Sequence, residues 1–173
     1  YADCTMPAQQ TLPNGELWRN IVTEEKSKVA TNLDDYRGNY KYNLLDMNLQ
    51  DFNAEVPIFA QWDNHEVMED WWPGEAFDRR GYDTRSALLL AARGCRAFHE
   101  FMPLRYSPAE PGRIYRKIPY GPLLDLFLLD MRSYRGANAQ PTTQYGADAY
   151  LLGPAQLAWL KRELKRSSAT WKV

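Results

Sequence analysis

Residues 61–72, QWDNHEVMEDWW, bring metal-binding and proton-carrying side chains together. Asp63, Asn64, His65 and Glu66 stand in a row, and Glu69 and Asp70 follow before Trp71 and Trp72. Carboxylate and amide oxygens are ligands for hard cations such as Ca2+. Histidine carries protons near neutral pH and also binds metals, and His65 is one of only two in the chain. An Asn ligand adds coordination without charge, which limits the negative charge of a multi-metal site. The same four residues also suit an ordinary turn, where Asp and Asn are favoured and a His can bond to backbone. The preceding run favours a site: VPIFAQW, 56–62, is short and apolar, reads as a buried strand and hands over at once to the polar residues. A strand end of this kind can aim side chains into a cleft. Glu69 and Asp70 either extend the acidic cluster or begin the loop that covers it. Trp71 and Trp72 either wall a substrate pocket or pack in the core.

A second stretch, LLDMRSYR, ends an apolar run at Asp130 and places Arg132 two residues on. Side chains alternate along a strand, so the two can share a face. A carboxylate there can hold a cation while a guanidinium forks onto phosphate oxygens. The competing reading is an ion pair at a sheet end. Arg135 is expected at the surface or behind the site. A phenolate such as that of Tyr1 can bind ferric iron, but nothing local assigns it that role. His99 lies within an apolar helical run and reads as structural.

These residues need elements to position them. Residues 1–20, broken by Pro7, Pro13 and a PNG turn, read as a loop. The periodicity predicts a helix over 21–37 and a further short helix within 39–55, ahead of the strand at 56–62. A loop around WPGE, 73–82, leads to the clearest helix, Thr84 to Met102, apolar on nearly all sides and ended by Pro103. RIYRKIPYG, 113–121, and the apolar run ending at Asp130 read as an antiparallel hairpin around a YGP turn. A polar loop at 136–150 precedes a helix opened by Gly153-Pro154, with Leu157, Leu160 and Leu164 spaced for one buried face, and ATWKV reads as the next strand. Alternating helices and strands, with polar residues at the strands' C-terminal ends, predict a layered α/β domain with its site at those ends.

The totals exclude several classes. With 173 residues the chain can build one domain with a real core. Its net charge of −1 gives no basic surface for nucleic acid. No apolar run reaches the roughly 18 residues a membrane span needs. Cys4 and Cys95 are too few for a disulfide framework and form no CxxC. The GxSxG elbow, the P-loop and the GxGxxG fingerprint are missing, which removes the motif basis for serine-hydrolase, kinase and dinucleotide-binding readings. The start at Tyr1 and the stop at ATWKV lead us to expect that both ends are cut from a longer protein.

Three ordered stretches, WDNHEV…WWPGE, GPLLDLFLLDMRSYRG and LLGPAQLAWLKRELKRSSATWKV, closely resemble the PhoD-like alkaline phosphatase/phosphodiesterase family. The resemblance runs over essentially the whole chain. It implies that residues 1–173 are the central part of one layered metallophosphoesterase-like α/β sandwich, with a mixed sheet and flanking helices. It also implies hydrolysis of small phosphate mono- and diesters, export from the cytoplasm, and a site that combines Fe3+ with Ca2+. If the family's GDxIY-type stretch continues here as YAD, Tyr1 is the iron tyrosine, and the bridging aspartate and the cysteine ligand lie upstream. LDxRxYR matches 129–135, which makes Asp130 a metal ligand and Arg132 a phosphate contact. The family's usual WDDHEVxNNW reads WDNHEVMEDWW here, so Asp70 inherits a calcium-ligand position with a carboxylate in place of an amide, and Asp63 joins the metal set. Asn64-His65 is a second candidate, because the wider metallophosphoesterase group uses an Asn-His pair at a similar strand end. His65 either protonates the leaving group or orients a ligand, and Trp71 is a substrate-wall candidate. The rival readings are a non-catalytic binding fragment, the isolated piece being expected to be inactive, and a different metal-dependent hydrolase on a similar sheet.

Overall fold

The computed structural model describes residues 1–137 and 150–173. Within them lie two small sheets and four α-helices in a mixed α/β arrangement. The N-terminal stretch expected to be a loop contains a short hairpin, β1 (Gln9–Thr11) antiparallel to β2 (Leu17–Arg19), closed by the PNG turn.

The helix expected over 21–37 is shifted. Glu25–Ser27 form one 3-10 turn, and the first α-helix, α1, runs Leu33–Asn43. Its start is set by a capping box. The Asn32 side chain accepts the Asp35 amide at 3.0 Å, and Asp35 accepts the Asn32 amide at 3.1 Å. Helix α2 (Met47–Glu55) is capped by Asp46 and ends before Pro57, whose ring holds Val56 extended.

Residues 56–62 are not a strand. They continue as unpaired chain, tied to the rest by side chains: Arg116 donates to the Ala60 carbonyl at 2.6 Å, and Gln61 to the Leu129 carbonyl at 3.1 Å. An apolar run supplies a buried-strand pattern, but a strand also needs a neighbouring ladder, and none forms here among the described residues.

Helix α3 (Ala87–Phe101) begins at the Ser86 cap. It is buried on one face, not on nearly all: Ala87, Leu90, Ala91, Gly94, Ala97 and Phe98 face inward at helical spacing, while Leu88 is 59% exposed. It packs on α1 through stacked Tyr40 and Phe101 rings and a forked Arg37–Glu100 pair at 2.6 and 2.7 Å. The larger sheet has the order β3 (Arg116–Tyr120), β4 (Leu124–Leu128), β5 (Trp171–Lys172). The first two form the expected antiparallel hairpin, turned at Gly121, whose φ of 69° is left-handed. Strand β5 is parallel to β4, which requires a crossover. The crossover contains α4 (Gly153–Arg166). Its inward residues are Gly153, Gln156 and Trp159, while Leu157 and Leu164 of the expected apolar face are 41% and 38% exposed. Trp159 fixes this choice by packing against Tyr115 and Phe127. The expected polar loop at 136–150 lies largely outside the described residues. No helix among the described residues is long and apolar enough to cross a membrane.

The core is continuous from α1 and α3 into the 62–71 loop, through Tyr36, Leu90, Phe98, Trp62, Val67, Met68 and Trp71. Gly94 makes the approach of α3 to that loop possible: a Cβ there would lie 2.9 Å from the Glu66 carbonyl oxygen and 3.1 Å from Val67. Gly94→Ala should therefore destabilise the fold by about 1–3 kcal/mol through overpacking, read as a lower denaturant midpoint with an unchanged slope. The Arg37 guanidinium holds Glu100 down from 4.5 to about 2, with Arg96 helping and burial acting in the opposite direction. A depressed carboxylate stabilises the fold above its unfolded value and loses that contribution as pH falls through the folded one. Between pH 4.5 and about 2 the thermal midpoint should drop more steeply in the wild type than in Glu100→Gln.

Candidate functional site

The 62–71 loop alternates anchors and exposed groups. Trp62, Val67, Met68 and Trp71 are buried, whereas Asp63, Glu69 and Asp70 face solvent. Local hydrogen bonds shape it: the Asn64 carbonyl accepts the Val67 and Met68 amides at 2.8 and 2.9 Å, and the Glu66 carboxylate accepts the Asp63 amide at 2.6 Å. Tyr36 donates its hydroxyl to the Val67 carbonyl at 3.1 Å. Asp70 takes a left-handed conformation with φ 53°, a region that Asn and Asp enter more readily than other side chains.

The loop after β4 meets this segment. Arg132 reaches Asp63 through Nε at 3.4 Å and Asp70 through Nη2 at 3.4 Å, and Nη1 donates to the Trp71 carbonyl at 3.4 Å. All three contacts are longer than a well-formed charge-assisted bond of about 2.7–2.9 Å. The Arg132 side chain is nevertheless only 11% exposed. Arg135 adjoins the group. Its pKa is lowered by burial first and by Arg132 next, with Asp70 and Asp63 working in the opposite direction.

Asp130 positions Arg132 through the backbone. Its side chain is fully buried, and Oδ1 accepts the amides of Arg132 and Ser133 at 3.0 and 2.8 Å. Oδ2 is buried without a hydrogen-bond partner among the described residues. The Asp130 backbone is held by Gln156 of α4: the amide donates to Oε1 at 2.8 Å, and the carbonyl accepts from Nε2 at 2.8 Å. Nε2 also reaches the Leu152 carbonyl at 3.0 Å.

A second group forms on the other side of Asn64. His65 Nδ1 lies 2.9 Å from both carboxylate oxygens of Asp3. The Tyr1 ring meets the imidazole edge-on at 4.2 Å. Buried Lys26 ties this terminus down by donating to the Tyr1 and Cys4 carbonyls and to Asn39. Burial lowers its pKa, against the raising influence of Cys4 and Asp3.

The structure thus brings Asp63, Asp70 and Arg132 together, with Asp130 directly behind, and pairs Tyr1 with His65. Asn64 is buried and shapes the turn through its carbonyl. The Trp71 ring is fully buried against Trp62, so it is core and not pocket wall; its carbonyl is the part that meets Arg132. One observation favours a cation, the orphaned buried Oδ2 of Asp130. The donor set around it does not complete a shell: among the described residues no group of three or more His, Cys, Asp or Glu side chains could hold a metal ion. Sequence reasoning missed Asp3, Lys26 and Gln156. Gln156 carried a usable signal, a polar residue three positions after Gly153 and three before Trp159 on the inward face; Lys26 carried none. Gln156→Ala would leave the buried Asp130 amide and carbonyl unpaired at about 1–3 kcal/mol each. The expected result is a clear loss in denaturant midpoint and faster amide exchange at Asp130 and Arg132.

A family model described as PhoD-like phosphatase matches residues 1–173. Alkaline phosphatase D of Bacillus subtilis (strain 168) is 31% identical over 164 residues, covering 89% of this chain and 28% of that protein. A solved structure described as "Structure of PhoD" superimposes with a TM-score of 0.69 at 30% identity, covering 86% of this chain and 30% of its own. The chain therefore spans under a third of the length of each of these relatives. With every stretch of the sequence inside the family match, and the loop after β4 and the WDNHE loop meeting at one arginine, the chain belongs to the PhoD-like phosphatase family.

Proposed function

We propose that this chain is part of an enzyme that hydrolyses small phosphate mono- and diesters, and that Arg132 is its phosphate contact. The observation that carries the reading is the loosely held guanidinium: three contacts at 3.4 Å keep Arg132 in place without saturating its five donors. A planar fork held in this way matches two phosphate oxygens. Fixed by Asp130 through the backbone, it meets the negative charge that builds on those oxygens as water adds in line and the alcohol leaves. The leaving oxygen needs a proton. His65 either supplies it or orients a further group.

Metal dependence, with Ca2+ and Fe3+ as the ions the family resemblance implies, is part of the same proposal. From this chain Asp63, Asp70 and Asp130 would offer hard oxygen donors and Tyr1 a phenolate, with Asn64 as an alternative amide donor. These side chains do not form a shell by themselves, so no step of the reaction is assigned to a metal. Export from the cytoplasm likewise rests on the resemblance.

The full-length protein should hydrolyse bis-p-nitrophenyl phosphate, and Arg132→Ala should lower kcat/KM by about 100-fold or more. Arg132→Lys should recover little of it, because an ammonium lacks the fork. Equal rates in all three proteins would reject the assignment.

A further inference from the structure

We infer that Asp3 is the positioning residue of His65, holding the imidazole as the tautomer whose Nδ1 carries the proton and whose Nε2 is the open lone pair. Asp3 and His65 lie 62 residues apart in sequence. The Asp3 side chain is only 7% exposed, yet both of its oxygens lie 2.9 Å from Nδ1. An ionised carboxylate only accepts hydrogen bonds, so Nδ1 must donate. In the neutral ring Nε2 is then left as acceptor, ligand or proton carrier.

The surroundings hold this geometry from three directions. The Ala2 amide donates to the His65 carbonyl at 2.7 Å, which fixes the 1–3 segment against the WDNHE loop. The Tyr1 ring meets the imidazole edge-on at 4.2 Å. Lys26 clamps the carbonyls on both sides of the Ala2–Asp3 pair. The Cys4 thiol, 3.7 Å from Oδ1, is the other donor beside Asp3. This is the base-and-orienter geometry of proton-transfer sites, in which a carboxylate selects the ring nitrogen that faces the reaction. The role assigned to Asp3 rests on the reading that His65 serves phosphoester hydrolysis; the tautomer does not.

The test is the nitrogen spectrum of the histidine rings in the 15N-labelled full-length protein. It is recorded at about pH 8, above the ordinary imidazole range, with His65→Gln identifying the signals. The expected result is a pyridine-type Nε2 and a pyrrole-type Nδ1 for His65, with the protonated nitrogen exchanging position in Asp3→Ala. In the same variant kcat for an alkyl phosphate such as glycerol 2-phosphate, whose leaving alkoxide needs the proton, should fall about 10- to 100-fold with KM little changed. A protonated Nε2 in the wild type overturns the inference without any mutant having to fold. A tautomer that moves while kcat does not would show that Asp3 orients the ring for no catalytic purpose, which also overturns it. A wild-type protein that hydrolyses no phosphoester defeats the functional reading instead, and leaves the ring spectrum to decide the tautomer on its own.

Discussion

The geometry of the site depends on one buried side-chain amide. Gln156 satisfies both the amide and the carbonyl of Asp130, as a neighbouring strand would. Strand β4 ends at Leu128, and among the described residues its pairing with β3 and β5 does not extend to residue 130. Without Gln156 the chain leaving the sheet would carry unpaired polar groups into the interior, at a cost comparable to a large share of a domain's net stability. With it, the Asp130 carboxylate is free to cap the next turn, and that turn aims Arg132 at the loop opposite. The crossover helix thus does two things at once: it links parallel strands, and it sets the backbone from which the guanidinium projects.

The opposing loop is held by a different device. Four apolar side chains, Trp62, Val67, Met68 and Trp71, enter the core, while Asp63, Glu69 and Asp70 between them face solvent. The loop has no strand to stiffen it, but burial of anchors worth about 1.5–3 kcal/mol each resists displacement. Gly94 lets α3 approach closely enough to receive them. Asp63 and Asp70 are therefore exposed on a loop whose neighbouring anchors are buried.

How much of this could be read from the sequence varied with the range of the forces involved. The β3–β4 hairpin, α3, the helix opened by Gly153-Pro154 and the strand after it were all legible, because turn residues, caps and apolar spacing act over a few positions. The start of α1 was also written locally, in Thr31-Asn32 and Asp35, but a weaker periodic pattern upstream drew the expected helix toward residue 21. Residues 56–62 show the limit: apolar composition says that a segment is buried or extended, whereas pairing depends on what lies beside it. The apolar row of α4 misled for a related reason. Leucines at helical spacing marked a plausible face, yet Gln156 and Trp159 found better partners on another. Asp63, Asp130 and Arg132 were singled out from local stretches and Asp70 from the family resemblance, while Asp3 and Lys26 act across distances of 62 and 22–25 residues that no local pattern encodes.

The resemblance to the PhoD-like family leads us to expect Asn at position 70, where this chain carries Asp. The position needs a left-handed backbone, which Asn and Asp both tolerate, so the exchange does not disturb the loop. What changes is charge. Asp63 and Asp70 together bring two negative charges to a small surface, and Arg132 and Arg135 bring two positive ones. An amide at 70 would leave Arg132 in contact with one carboxylate instead of two, and so more strongly cationic toward a phosphate. The carboxylate moves the balance the other way, making the loop a better partner for a cation and the arginine a less exposed positive charge. Selection between these effects lies in the 3.4 Å spacing. It is short enough for Asp70 to orient the guanidinium, yet longer than a well-formed charge-assisted bond.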